Sequence, residues 1–506
     1  MGNERQGVSD GQSERHELVE RLPTGIEGLD LILGGGLFVG GLYMVQGPPG
    51  SGKTILTNQL CFHLAGQGRR VAYLTLMAEA HDRMLRHLQS LAFTNLSLLP
   101  DPLYYASAYA ILEEEGLDGL LALIRETLRK GPGHGRAAPT DGLALLVLDG
   151  LYVAHERAQS ERAFRRFVYE LQGEAALRNV TFLFVTGAPS SASTPELTMV
   201  DGLIALEDRL VGARAVRTLQ VTKFRGAGYL RGRHLFRIKD EGILVHPRLE
   251  TLVAGGPDEK PIEEELSTGI AELDRMLRGG LPAFSTTLIV GPTGSGKTTF
   301  GLLFLAAATA EAPGLFFGCY ESEGELRLKA HAIGIEVDRR IEEGALHILW
   351  HPSFETSLDE MGDRLCRAVE RHGIRRLFVD GLGAFRRAPA EPGRLGPFFT
   401  ALSIRLQAMG VTVACSLETE NALSPHRMGL DELSALSENI LLLRLGEQRA
   451  RLVRMLSIVK VRQSGFDPAV VCFEITDHGV VLGEAPENAA LPPAGAARPP
   501  APDDHR

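Results

Sequence analysis

The chain has 506 residues, 44% of them hydrophobic and 23% charged, with a formal net charge of −10. That length exceeds one ordinary domain, and that balance excludes bulk disorder. The acidic charge excludes a general attraction to phosphate backbones, so no nucleic-acid partner is expected. The five cysteines, Cys61, Cys319, Cys366, Cys415 and Cys472, form no CxxC or Cys/His cluster, which points away from a disulfide framework or a zinc site and toward a reducing cytoplasmic compartment. No apolar run reaches the roughly 18 residues that a membrane span requires. The opening stretch MGNERQGVSDGQSERHE lacks the apolar segment of a signal peptide.

In chain order, residues 1–17 read as a disordered N-terminus. A first lobe is expected over 18–250. It starts with TGIEGLDLILGGGLFVGGLYMVQGPPGSGKT, residues 24–54, where LYMVQ reads as a strand and TILTNQLCFHLAG as a helix after a glycine loop. VAYLTL, LALLVLD and TFLFVT have strand length and apolar content, and HDRMLRHLQSLAF between the first two has helical spacing. GPGHGRAAPTDG, 131–142, reads as a surface loop. The last third, TLQVTKFRG through LFRIKDEGILVH, reads as antiparallel strands extending the sheet.

After a Gly/Pro/Glu-rich linker at 251–261, residues 262–485 write the same order again. TGIAELDRMLRGGLPAFSTTLIVGPTGSGKT spans 268–298, followed by LFFGCY, RLFVD, VTVACS and the strands MLSIVKVRQ and CFEITDHGVVLG. Thr24 and Thr268, Asp30 and Asp274, and Lys53 and Lys297 are each 244 residues apart, whereas Asp149 and Asp380 are 231 apart. The difference of 13 falls between P-loop and aspartate in lobe one, and loop 131–142 accounts for most of it. Residues 486–506 are Pro/Ala-rich and read as a disordered tail. Continuous apolar strands alternating with helices predict an α/β fold, two tandem P-loop domains each with a mostly parallel sheet covered on both faces.

The chemistry begins at GPPGSGKT (47–54) and GPTGSGKT (291–298), each opening a helix after a strand. Gly47, Gly50, Ser51 and Gly52, and Gly291, Thr293, Gly294, Ser295 and Gly296, would cradle phosphate on backbone N–H groups. Lys53 and Lys297 would reach the terminal phosphates, and Thr54 and Thr298 would ligate Mg²⁺. Asp149 and Asp380 end apolar strands and suit the same ion through water. ATP and Mg²⁺ are the expected cofactors. A carboxylate past the next strand would align the attacking water. Lobe two offers Glu321 and, less well placed, Glu323; lobe one has Met77-Ala78 and only then Glu79. The bland alternative for Glu321 is a solvated glutamate at a helix start. Lys223/Arg225 and Lys460/Arg462 form a Lys-x-Arg pair in each lobe. Period two would put both cations on one face of a strand, either solvated or facing an anion.

Together these motifs, with TGIxxLD ahead of each P-loop and the closing IKDEGIL and ITDHGVV, resemble the KaiC family of RecA/DnaB-like ATPases over about 460 residues. The resemblance implies two RecA-like lobes, ring assembly, expected as a hexamer, and ATP held between subunits. It also implies Lys-x-Arg pairs that act on the neighbour's phosphate and a protein partner of unknown identity. Clock-type members carry a Glu-Glu pair after the second strand, where this chain has Glu321-Ser322 and Met77-Ala78. They carry an adjacent Ser and Thr as phosphosites, where this chain has Ser434 and Ala435. The expectation is an oligomeric ATPase that switches conformation with its nucleotide. The alternatives are a serine/threonine autokinase through Ser434, a DNA-dependent motor, and a scaffold that binds ATP and barely hydrolyses it.

Overall fold

The computed structural model describes residues 20–78, 81–130, 142–187, 198–253, 264–351, 357–387, 393–419, 437–448, 451–462 and 464–484. Glu79, most of loop 131–142 and of the linker, Ser434, Ala435 and both termini lie outside them. The chain divides into two compact units, the first comprising most of the chain up to Pro247 and the second running from Arg248 on.

The first unit contains β1 (Leu42–Gln46), β2 (Arg70–Thr75), β3 (Leu103–Ser107), β4 (Leu143–Asp149), β5 (Thr181–Thr186), β6 (Gly202–Val211), β7 (Arg214–Phe224), β8 (His234–Lys239) and β9 (Gly242–His246). Their spatial order is β3-β2-β4-β5-β1-β6-β7-β8-β9. The second contains β10 (Thr286–Gly291), β11 (Gly314–Gly318), β12 (Leu346–Trp350), β13 (Arg376–Asp380), β14 (Thr412–Glu418), β15 (Asn439–Gln448), β16 (Arg451–Val461), β17 (Val471–Thr476) and β18 (Gly479–Leu482). Their order is β12-β11-β13-β14-β10-β15-β16-β17-β18, the same arrangement strand for strand. The pairs from β3 to β6 and from β12 to β15 are parallel. The C-terminal strands add on antiparallel, as their alternating texture predicted.

The central strands are apolar throughout because both faces are covered. Leu42, Tyr43, Met44 and Val45 of β1 are all at most 1% exposed. On one face lies the helix that follows the P-loop, α1 (Lys53–Gly66) in lobe one and α3 (Lys297–Ala306) in lobe two. On the other face a second core gathers around Phe164 of α2 (Glu161–Arg178) and Phe182 in lobe one and around Phe385 and Phe398 in lobe two. The TGIxxLD motif is structural in both lobes. One Asp30 oxygen accepts from the Thr24 N–H at 2.7 Å, and Asp274 repeats this with Thr268 at 2.7 Å, which ties off the turn before a short helix. Among the described residues no helix is long and apolar enough to cross a membrane.

In lobe two α3 meets the sheet at Gly301, where a Cβ would lie 2.2 Å from the Phe378 ring, and Phe378 packs on Phe316 with centroids 5.6 Å apart. Phe378 is fully buried. Phe378→Ala is expected to cost about 3–5 kcal/mol through lost transfer energy and the cavity left behind. The single tryptophan, Trp350, ends β12, so its fluorescence during denaturation reports lobe two alone.

Candidate functional site

β1 ends at Gln46 and α1 begins at Lys53, so Gly47–Gly52 must reverse the chain within six residues. Gly52 and Gly296 cap α1 and α3 with φ of +96° and +101°, the left-handed region open to glycine. A Cβ at Gly47 would lie 2.7 Å from Ser51 Oγ, and one at Gly291 2.6 Å from Ser295 Oγ, so each loop closes on its own serine. Lys53 Nζ donates to the carbonyls of Gly47 and Pro48 at 2.8 and 2.9 Å, and Lys297 Nζ to those of Gly291 and Pro292 at 2.9 and 2.8 Å. Burial lowers the pKa of both lysines, opposed by Asp149 in lobe one and by Glu418 and Asp380 in lobe two. The Ser51 and Ser295 hydroxyl oxygens are buried without a hydrogen-bond partner among the described residues. An ammonium folded back on the loop, an orphaned hydroxyl and a helix N-terminus fit a group with several anionic oxygens, as a nucleotide phosphate has.

Asp149 and Asp380 stand at the ends of β4 and β13, beside the P-loops. Asp149 is 5% exposed, and one of its oxygens accepts from the Tyr73 hydroxyl at 2.6 Å. Thr298 Oγ donates to one oxygen of Asp380 at 3.0 Å, and Ser416 Oγ donates to the other. Burial raises the Asp380 pKa, with the Ser416 and Thr298 bonds pulling it back down. Among the described residues no group of three or more His, Cys, Asp or Glu side chains gathers into a metal cluster. The donor set is one carboxylate and one threonine hydroxyl per lobe. That suits a small hard ion that keeps several of its waters, as Mg²⁺ does. Thr54, Thr75, Met77, His81, His87 and Asp149 line a cleft of about 380 Å³ in lobe one. Its lobe-two counterpart, about 1160 Å³, includes Lys297, Thr298, Glu321, Lys329, Asp380 and Glu418.

β11 ends at Gly318, so Glu321 stands three residues past the strand, just before Ser322, the N-cap of α4 (Glu323–Ala332). Gly318 pairs with Asp380 as Thr75 pairs with Asp149. That register puts Tyr320-Glu321 opposite Met77-Ala78 and corrects by one residue the alignment of Glu321-Ser322 with that pair. The apolar run LFFGCY hid the shift, because its last two residues continue past the strand. One Glu321 oxygen pairs with Lys329, and the other is buried with no hydrogen-bond partner among the described residues. Glu323 pairs with Arg327 and does not line the cleft.

The structure also adds residues that sequence reasoning missed. Glu418 ends β14 and accepts from Thr293 Oγ of the P-loop. An apolar run closing on an acid, the signal that found Asp149, could have found it. Lys329 gave no signal, because its contact to Glu321 is made across the loop-to-helix turn. Tyr73 and Ser416 were hidden inside apolar strands. In lobe one His81 enters the cleft with its ring 5.8 Å from that of Tyr105, and burial lowers its pKa.

β7 ends at Phe224 and β16 at Val461, so Arg225 and Arg462 lie one residue past strands that were expected to carry both cations. Lys223 and Arg225 still converge, donating to the Thr198 carbonyl at 2.8 and 3.4 Å. Lys460 donates to the Ser437 carbonyl at 2.7 Å. Lys460 is level with Ile440 and so with Leu288, about 10 Å along the strand before the P-loop of the same lobe begins. In lobe one the pair sits beside Asp201, at the start of β1, again at the edge opposite its own P-loop.

A family model described as "ATPase: KaiC" matches residues 22–97, 137–250 and 266–487. The circadian clock oscillator protein KaiC of Acaryochloris marina is 24% identical over 480 residues, covering 93% of this chain and 90% of its own. That of Prochlorococcus marinus subsp. pastoris is 25% identical over 496 residues, covering 93% and 92%. Two RecA-like P-loop lobes and a match over most of the length place the chain in the KaiC ATPase family.

Proposed function

We propose that the protein is an oligomeric ATPase whose two lobes both hold ATP-Mg²⁺ and whose second lobe does most of the hydrolysis, which makes it a nucleotide-dependent conformational switch. The observation that carries this reading is the contrast between the clefts. Each is lined by the threonine that follows the P-loop lysine and by the strand-end aspartate, but only lobe two among the described residues has a glutamate beside them.

Gly47–Thr54 and Gly291–Thr298 would hold the phosphates. Thr54 with Asp149, and Thr298 with Asp380, would hold Mg²⁺, which supplies charge neutralisation at the β- and γ-oxygens when bound. Glu321 orients water and accepts its proton, with Lys329 fixing one of its oxygens. A positioned carboxylate contributes roughly 10²–10⁴-fold to such a step. Met77 and Ala78 can accept no proton, so lobe one holds nucleotide and keeps the assembly together. The Lys-x-Arg pairs lie at the edge opposite their own P-loops, which favours action on the phosphate of a neighbouring subunit in a ring, a hexamer by family resemblance. ATP then tightens the ring by linkage. A cytoplasmic location and a protein partner that reads the nucleotide state complete the proposal.

Nucleotide stoichiometry near two per chain is expected from apo-derived protein, and Lys53→Ala and Lys297→Ala should each remove one site. A wild-type stoichiometry of one overturns the two-site reading. For turnover, Glu321→Gln should lose most of the steady-state rate and Glu79→Gln little. The reverse ranking would reassign the lobes. In rings of proven mixed composition, Lys460→Ala subunits should partly restore turnover to Glu321→Gln subunits, since one mixed interface contains both intact halves. No restoration counts against action between subunits.

A further inference from the structure

The carboxylates at the ends of β4 and β13 stand at equivalent places, yet different strands supply the hydroxyl that holds them. In lobe one the donor is Tyr73 in the middle of β2, fully buried, whose hydroxyl lies 2.6 Å from Asp149 Oδ2. In lobe two the residue at that register is Phe316. Tyr73 pairs with Val147 and Tyr105 as Phe316 pairs with Phe378 and Ile348. Phe316 has no hydroxyl to offer. The lobe-two donor is instead Ser416 on β14, from the other side of the carboxylate. Its lobe-one counterpart, opposite Asp149 in register, is Val185.

We propose that Tyr73 is the positioning residue of the lobe-one metal site, doing from β2 what Ser416 does from β14 in lobe two. This rests on the reading of Asp149 as the residue that grips Mg²⁺. A hydrogen bond to an ionised carboxylate is charge-assisted and fixes which oxygen faces the ion. Tyr73 is well suited to hold that direction. Its ring is fully buried and tilted against Tyr105 with centroids 5.2 Å apart. Asp380 has a further donor in Thr298 at 3.0 Å. Removing a group that orients a metal-binding carboxylate typically lowers metal affinity about 10–100-fold.

The test uses full-length Lys297→Ala protein, in which only lobe one binds nucleotide, and measures the affinity for ATP with Mg²⁺ and with EDTA. Tyr73→Phe should weaken binding about 10-fold in Mg²⁺ and leave it unchanged in EDTA. Adding Val185→Ser, which imports the lobe-two donor, should restore it. A loss of equal size in both buffers, no loss, or a loss that Val185→Ser fails to restore overturns the inference. The mirror pair, Ser416→Ala and Ser416→Ala with Phe316→Tyr in Lys53→Ala protein, decides the matter if Tyr73→Phe does not fold. Asp149→Asn separates the two readings. If it leaves the Mg²⁺ dependence intact, the metal-ligand reading fails. If it abolishes that dependence while Tyr73→Phe does nothing, only the role of Tyr73 fails.

Discussion

Parallel pairing decides where everything else goes. In each lobe β1 or β10 is flanked by two parallel neighbours, so the C-terminal ends of several strands emerge along one edge. The loops that leave those ends meet there whatever their sequence distance. Gly47 and Asp149 stand at the ends of strands with only β5 between them and come out along the same edge for this reason, although about a hundred residues separate them. The antiparallel strands that follow carry the chain back to the opposite edge, which is why Lys-x-Arg lies far from the P-loop of its own lobe. A sheet that ran antiparallel at its centre would scatter these groups over both edges.

The same constraint explains how two lobes can share a backbone and differ in chemistry. What holds the sheet together is burial of Leu, Val, Ile and Phe on both faces, and both lobes satisfy that independently. The residues past the strand ends carry little of that burden. Tyr320-Glu321 and Met77-Ala78 occupy matching positions without altering strand order, so the side chains there can differ between the copies while the fold is unaffected.

The duplication, both P-loops, the strand-end aspartates and the α/β layering were legible in the sequence, because each rests on local patterns: a glycine spacing, an apolar run, a fixed offset. Glu321 was legible as a candidate, but its alignment was not, since an apolar run does not announce where its strand stops pairing. Tyr73, Ser416 and Lys329 act across strands or turns, and no local pattern encodes a cross-strand contact. Tyr73 was least visible of all, since inside VAYLTL a tyrosine reads as one more apolar strand residue. The Lys-x-Arg pairs were found by recurrence, while their placement at the far edge needed the antiparallel register of the last strands.

Lys329 and Glu321 form an ion pair whose side chains are 52% and 26% exposed. Such a pair sits within reach of bulk electrolyte, and at physiological ionic strength charges are screened over about 8 Å. The acid assigned to water alignment in lobe two is thus tethered by an ammonium whose grip weakens as salt rises. Ser416 is buried and Asp380 and Thr298 are half-buried, so the bonds among these three feel the same screening less. On the proposed roles, ionic surroundings act selectively on this cleft, loosening the group that would set how fast nucleotide is consumed and sparing those that would set how tightly it is held.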